Sequence, residues 1–284
     1  MGSALAAATR ALDAAGVEAP RREAQVLIGH ALGVGRETLI GYPERRLSAA
    51  EQGALVEIVD RRRGREPAAY ILGRREFWSL DLRVTPDTLI PRPDSETLVE
   101  AALASVTDRG ARLRLLDLGT GSGCLLLALL CELGAASGVG VDIAPGAVAV
   151  ARDNADRLGL AHRTAFVAGD WGRALRGRFD IVVANPPYID ADACSALAPE
   201  IARHEPSRAL DGVRAGLDRY AALAPDVARL LAPAGRVVIE VGDGMADAVA
   251  AIMASRGLTE TSRRRDLAGI ERALVLIHDL GKEL

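Results

Sequence analysis

"LRLLDLGTGSGC", residues 113–124, runs from a short apolar stretch through three glycines into the apolar segment "CLLLALLC", residues 124–131. Strand, glycine turn and helix in that order form the unit from which open parallel α/β sheets are built. Gly119, Gly121 and Gly123 let the backbone come close to a ligand. The helix that follows presents unpaired N–H groups and the positive end of its dipole. A dinucleotide fingerprint needs G-x-G-x-x-G/A, and the sixth position here is Cys124, so that spacing fails.

Further apolar runs follow at regular intervals and end in Gly, Asp or Asn. They are "SGVGVDI" (137–143), "TAFVAGD" (164–170), "FDIVVAN" (179–185) and "GRVVIEVG" (235–242), with "ERALVLIHD" (271–279) as a last strand. Helical stretches such as "PGAVAVARDNADRLGL" separate them, which indicates a mostly parallel sheet covered on both faces. Asp142 ends the first of these further strands, where a carboxylate can take both ribose hydroxyls of a nucleoside or cap the helix that follows. Asp170 and Trp171 follow the second, where they can hold an adenine by hydrogen bond and ring contact. All these residues fall at strand ends, where open α/β sheets bind ligands.

Residues 1–75 show helix spacing instead. Leu5, Ala8, Leu12 and Ala15 repeat on one face and Gly16 is a stop; Ala24, Leu27, Ile28, Ala31 and Leu32 do the same before Gly33. Ser48 with Glu51 is a capping box for a helix ending near Gly64 and Pro67. The segment is expected to be a small helical domain of four or five short helices. Residues 76–93, with Phe77, Leu80, Leu82 and Val84 in extended spacing and prolines at 86, 91 and 93, read as a hairpin linker. Residues 94–284 form the α/β domain, reopened by a helix with Asp94 or Ser95 as its cap.

Composition narrows the class. Hydrophobic residues make up 49% and charged residues 26%, which fits a globular chain, and the longest apolar run is too short to cross a bilayer. A formal net charge of -3 argues against a protein that coats nucleic acid by bulk electrostatics. Cys124, Cys131 and Cys194 have no zinc spacing and read as buried small apolar residues in a reducing compartment. The N-terminal segment carries Arg10 and Asp13 within an amphipathic pattern, so it does not read as a secretion signal. No metal is expected.

"VVANPPYID", residues 182–190, leaves a buried strand and then stiffens its backbone with two prolines beside an amide and an aromatic ring. Together with the glycine loop, Asp142 and Asp170–Trp171, it resembles the S-adenosylmethionine-dependent methyltransferases with a seven-stranded sheet, over residues 94–284. The resemblance implies that the strand ending in Asn185 lies beside the one ending in Gly119, with Asn-Pro-Pro-Tyr facing the methyl group. It also implies a substrate nitrogen attached to a planar conjugated group. The Asn185 side-chain oxygen and the Pro186 carbonyl are then two acceptors for its hydrogens, and Tyr188 offers a face to stack on.

Other segments narrow the resemblance. "REPAAYILGRREFWSLDLRV" (65–84), "TLIPRPDSETLVE" (88–100), "NPPYI" (185–189), "EPSRALDG" (205–212) and "GLDRY" (216–220) are similar to those of bacterial release factor glutamine methyltransferases across nearly the whole chain. That family methylates the N5 amide of the glutamine in the Gly-Gly-Gln tip of peptide chain release factors. The resemblance implies that Gly119, Thr120, Gly121, Ser122, Gly123, Asp142, Asp170, Trp171 and Asn185 bind S-adenosylmethionine. It implies that Asn185, Pro186, Pro187 and Tyr188 bind the glutamine, with Leu89 and Arg92 approaching from the linker. It implies Asn185, Pro186 and Tyr188 as the catalytic set. A cytoplasmic monomer acting on release factors, with no membrane or direct nucleic acid contact, is expected.

Two rival readings remain. A nucleic acid amino-methyltransferase, acting on adenine or guanine, shares the cofactor residues and Asn-Pro-Pro-Tyr but should carry a basic groove or a binding module. A degenerate scaffold would need none of these motifs intact. His204, where the family commonly has an aromatic, reads as structural. Glu240 reads as an arginine partner or a turn cap, with general base as the alternative. Arg61–Arg63 and Arg263–Arg265 read as solvated faces.

Overall fold

The computed structural model describes residues 1–190, 197–212 and 216–279; Cys194 lies outside the described residues. The chain divides into two compact units. One is Met1–Arg74 with Ala198–His204, the other Arg75–Leu197 with Glu205–Leu284.

The first unit begins with α1 (Gly2–Ala14), α2 (Pro20–Leu32), α3 (Arg36–Gly41), α4 (Ala49–Arg63) and α5 (Ala68–Leu72). The 3.6-residue repeat puts Ala8, Leu12, Ala24, Leu27, Ile28, Leu55 and Val59 into one core. α2 stops at Gly33, whose φ of +64° is left-handed and favours glycine. The capping box of α4 is complete: Ser48 Oγ accepts from Glu51 N at 3.2 Å, and Glu51 Oε2 accepts from Ser48 N at 2.8 Å.

A hairpin follows, β1 (Arg74–Phe77) and β2 (Leu80–Arg83), turning on Trp78 and Ser79 with φ of +52° and +59°. Left-handed φ at two consecutive residues gives the tight turn that strand twist favours, normally on Asn-Gly. Glu96 and Glu76 carboxylates accept the two turn amides at 2.9 and 2.6 Å, which offsets the strain.

The chain continues through α6 (Glu96–Ala104), β3 (Arg114–Leu118), α7 (Cys124–Glu132), β4 (Ser137–Asp142), α8 (Pro145–Arg157) and β5 (Thr164–Ala168). Then come β6 (Phe179–Ala184), α9 (Pro199–His204), α10 (Asp218–Leu230), β7 (Leu231–Glu240), α11 (Ala246–Ala254), β8 (Leu258–Arg265) and β9 (Glu271–His278). The seven-stranded sheet has the order β5-β4-β3-β6-β7-β9-β8. β3 to β7 pair in parallel and β9 runs antiparallel to both neighbours. Leu115, Ile181 and Val183 face α6 and α7, while Leu116, Val182 and Ile239 face the α10 and α11 layer, so the sheet is buried on both sides.

Several expectations need correction. β8 was not legible as a strand: it is an edge strand on which "LTETSRRR" buries only Leu258, so the apolar signal is missing. Arg263 pairs with Glu260, Asp247 and Glu271. Arg62 is not on a solvated face. It is buried within the first unit, bound to Glu23 at 2.5 Å and to Glu200 of α9 at 2.9 Å. Cys131 is exposed rather than buried, at the end of α7. His204, on α9, lies 3.3 Å from Gly64 O, as a structural residue would.

Candidate active site

Strand order decides where the site lies. From β3 the chain moves outward to β4 and β5, then returns to β6 on the other side of β3. The direction of winding reverses between β3 and β6, which opens a crevice at their C-terminal ends. Leu118 pairs with Ala184, so Gly119 and Asn185 leave the sheet side by side. A cavity of about 510 Å³ opens there, a volume suited to a small organic ligand.

The glycine loop forms one wall. Gly119 N and Thr120 N both donate to Val141 O at 2.9 Å, which folds the loop over β4. Asp142 Oδ2 accepts from Gly121 N and Oδ1 from Ala144 N, each at 2.9 Å. Asp142 therefore steadies the loop and the entry to α8 while lining the cavity. Burial pushes its carboxyl above the ordinary range, against the pull of those amides. Gly123 has φ +82°, and a Cβ there would lie 3.1 Å from Leu127 Cδ1 and 3.2 Å from Ala151 Cβ. It does not line the cavity; its position lets α7 pack against α8.

Beneath this loop Asp117 is fully buried, and burial pushes its carboxyl up to about 7. Thr120 Oγ1 donates to Oδ2 at 2.6 Å, and the Leu126 N–H favours the charged form from longer range. Neither Asp117 Oδ1 nor Ser122 Oγ has a hydrogen-bond partner among the described residues. Buried polar atoms without partners are rare and point to a missing ligand or water.

Across the cavity Trp171 has φ +49°, a strained value for a bulky residue, and its ring lies against Gly119. Asp170 lines the cavity, and its carboxylate is held by Arg173 at 2.6 Å. Ile143 is exposed on the cavity wall next to Asp142. Ser122 Oγ for a polar head, Asp142 for hydroxyls, and Ile143 with Trp171 for a flat base together fit the amino-acid and nucleoside ends of S-adenosylmethionine.

The proline loop forms the other wall. Asn185 Nδ2 donates to Ser95 Oγ at 3.1 Å, and Ser95 Oγ donates to Glu240 Oε2 at 2.6 Å. Tyr188 OH donates to Glu240 Oε1 at 3.2 Å. Asn185 Oδ1 takes no hydrogen bond from the described residues, so the site keeps one amide oxygen available. Burial pushes the Tyr188 phenol upward, and the adjacent Glu240 adds to this. Ser95 was expected as a possible helix cap, but its hydroxyl makes no capping bond and is committed to this chain of contacts instead. Glu240 is held by two hydroxyls; Arg272 acts on it without a direct bond and pairs with Asp266 at 3.1 Å.

Leu89, Arg92, Gly119, Thr120, Gly121, Ser122, Asp142, Asp170, Trp171, Asn185 and Pro187 all line the cavity. Gly123, Pro186 and Tyr188 do not; Pro186 is buried and Tyr188 half-buried. Arg92 donates to Glu205 at 2.5 Å, and Glu205 also accepts from Ile90 N at 3.1 Å, which ties the linker to the "EPSRALDG" segment. Sequence reasoning missed Ser95, Ser207 and Arg208 as cavity residues. The signal was present in "LIPRPDSE" and "EPSRALDG", segments quoted for resemblance without roles for these positions.

Comparison with known proteins gives the family and the fold. A model of the PrmC N-terminal domain matches residues 3–73, and a methyltransferase domain model matches residues 110–267. A release factor glutamine methyltransferase from Rhodospirillum rubrum is 51% identical over 93% of this chain and 81% of its own length. One from Bradyrhizobium diazoefficiens is 44% identical over 93% of this chain and 90% of its own length. A methyltransferase structure from Pyrococcus furiosus, 16% identical, covers 70% of this chain and 89% of that one with a TM-score of 0.51, a likeness of fold alone. Among the described residues no helix is long and apolar enough to cross a membrane.

Proposed function

Because the chain belongs to the release factor glutamine methyltransferase family, we propose that it methylates the N5 amide nitrogen of the Gly-Gly-Gln glutamine in peptide chain release factors. S-adenosylmethionine, when bound, supplies the electrophilic methyl group. The observation that carries the reading is the Asn185 amide, tied by its nitrogen to Ser95 with its oxygen left available on the cavity wall.

An amide nitrogen is a poor nucleophile because its lone pair is delocalised into the carbonyl. The site therefore has to hold it rather than attack it. In this reading Asn185 Oδ1 accepts one hydrogen of the substrate NH2 and the Pro186 carbonyl accepts the other. Proline has no N–H, and two in series keep that carbonyl in a stiff frame. Accepting both hydrogens leaves electron density on nitrogen and fixes its direction. Alignment of this kind is worth on the order of 7–11 kcal/mol, and the polarised hydrogen bonds add to it. No strong base is needed beforehand, since the nitrogen becomes acidic as its new bond forms. Gly119 to Ser122, Asp142, Asp170 and Trp171 are assigned to the cofactor, and Pro187, Leu89 and Arg92 to the approach of the glutamine. Tyr188, which does not line the cavity and donates to Glu240, is assigned to the frame behind the glutamine rather than to stacking on it. Action on release factors belongs in the cytoplasm, and a monomer suffices for it.

Mass spectrometry of a release factor incubated with the protein and S-adenosylmethionine tests the reading. One added methyl on the target glutamine, and none when that glutamine is changed to alanine, is expected. Labelling that persists on the alanine variant, or that appears only on RNA, overturns it.

A further inference from the structure

Glu240 closes β7 with its side chain buried, 1% exposed, and each carboxylate oxygen is engaged by a hydroxyl. A serine hydroxyl has one proton to give. While Glu240 is ionised and takes that proton, Ser95 can only accept from Asn185, and the Asn185 amide must turn Nδ2 toward it. Flipping the amide would set its carbonyl oxygen against the serine oxygen with no proton between them. The direction of the Asn185 amide is thus dictated two residues away, by a carboxylate that does not line the cavity.

We propose that Glu240 is a positioning residue which, through Ser95, holds the Asn185 oxygen toward the substrate NH2, and that protonating Glu240 releases this hold. The proposal rests on the reading of Asn185 as an acceptor for the substrate amide. Its physical basis, the Glu240–Ser95–Asn185 chain of hydrogen bonds, stands in the protein alone.

The surroundings put the switch within reach of ordinary conditions. Arg272 from β9 faces Glu240 and favours its charge, and Asp94, in the turn before α6, opposes it. Tyr188 donates to one carboxylate oxygen, and Tyr220 of α10 donates to the Glu240 backbone carbonyl at 2.9 Å. The Cys124 thiol, at the start of α7, also feels the carboxylate. Burial outweighs the hydroxyl bonds and Arg272 and pushes the Glu240 carboxyl up to about 7. Below that pH Ser95 is no longer obliged to donate to Glu240, and the amide of Asn185 loses its lock.

The chain contains two asparagines, Asn154 and Asn185. Selective 15N-asparagine labelling therefore gives two side-chain NH2 pairs, one of them a reference. Asn154 donates to the Arg83 and Ser122 carbonyls at 3.0 and 2.9 Å. The expected result is an Asn185 NH2 pair whose resonances shift across neutrality in the wild-type protein and no longer do so in Glu240→Gln. An Asn185 pair indifferent to pH, or one that titrates equally in Glu240→Gln, overturns the proposal. This readout needs no release factor, so it holds whether or not the substrate reading does. A wild-type protein silent on release factors refutes that reading alone.

Kinetics supply the second arm. Ser95→Ala should lower kcat about 10–100-fold with the cofactor Kd unchanged, because a misdirected acceptor costs alignment rather than binding. The wild-type kcat should fall on the acid side of neutrality; Ser95→Ala should remove that fall, and Ser95→Thr, which keeps the hydroxyl, should restore both. A Ser95→Ala enzyme that keeps the wild-type acid limb contradicts the relay.

Discussion

The glycine loop after β3 and the proline loop after β6 leave adjacent parallel strands at the same level and solve opposite problems. The first uses residues without Cβ to adopt left-handed φ at Gly119, Gly121 and Gly123, and it spends their N–H groups on folding the loop onto Val141, Asp142 and itself. The second uses residues without N–H to hold carbonyl oxygens still. Each stands over a buried carboxyl pushed up to about 7, Asp117 below the glycines and Glu240 below the prolines. The difference lies in how these are used. Asp117 has an oxygen without a partner, whereas Glu240 spends both oxygens on hydroxyls that lead back to Asn185 and Tyr188. In the proposed reading one loop receives a ligand's polar head and the other aims a side chain.

That division predicts a separation of effects. Asn185→Ala should lower turnover by about 100–1,000-fold, the cost of losing one preorganised polar contact at a reacting centre. Its cofactor Kd, read by calorimetry, should change little. Asp142→Ala should do the reverse, weakening cofactor binding about 10–100-fold through lost charged hydrogen bonds. Equal losses of binding and turnover in Asn185→Ala would merge the two loops into one cofactor site.

The carboxyl under the glycine loop is tested by stability. Asp117 has an ordinary value of 3.8 and sits near 7 when folded, so the folded state holds the proton more tightly. Stability is then fullest below the ordinary value and falls as pH rises toward 7, by about 1.4 kcal/mol per pH unit. Asp117→Asn should flatten that slope in urea titrations between acid and neutral pH. An unchanged slope would mean that burial does not govern this group.

Smaller effects sharpen the contrast in backbone chemistry. Gly123→Val should cost about 2–3 kcal/mol of stability, since a Cβ meets Leu127 and Ala151 and the φ is left-handed. Thermal melts of apo protein would show it, with the β6 loop unaffected. Pro186→Ala should cost less than about 1 kcal/mol in stability, because it mainly adds freedom to the unfolded chain. Its turnover should fall severalfold, and a wild-type kcat would show that stiffness at this position is dispensable.

How much was legible follows from what each element exposes. β3, β4, β6 and β9 are buried on both faces and advertise themselves as apolar runs, and their ends carry the glycine, acid and proline loops. The β3–β6 neighbourhood came from resemblance and is borne out by the strand order. β8 hid because an edge strand keeps polar residues outward. Arg62 looked like one of three surface arginines, since its partners Glu23 and Glu200 are remote in sequence. Ser95 was legible only as a helix cap, because local spacing shows who starts a helix and says nothing of Glu240, 145 residues away. Long-range polar pairing is what single-sequence reasoning sees least.

The most direct measurement is a crystal structure of the protein with S-adenosylhomocysteine and a release factor. The account predicts the glutamine amide nitrogen within hydrogen-bond distance of Asn185 Oδ1, with Asn185 Nδ2 still on Ser95. A glutamine held elsewhere, or an Asn185 oxygen turned onto Ser95 with the amide nitrogen facing the substrate, would contradict it.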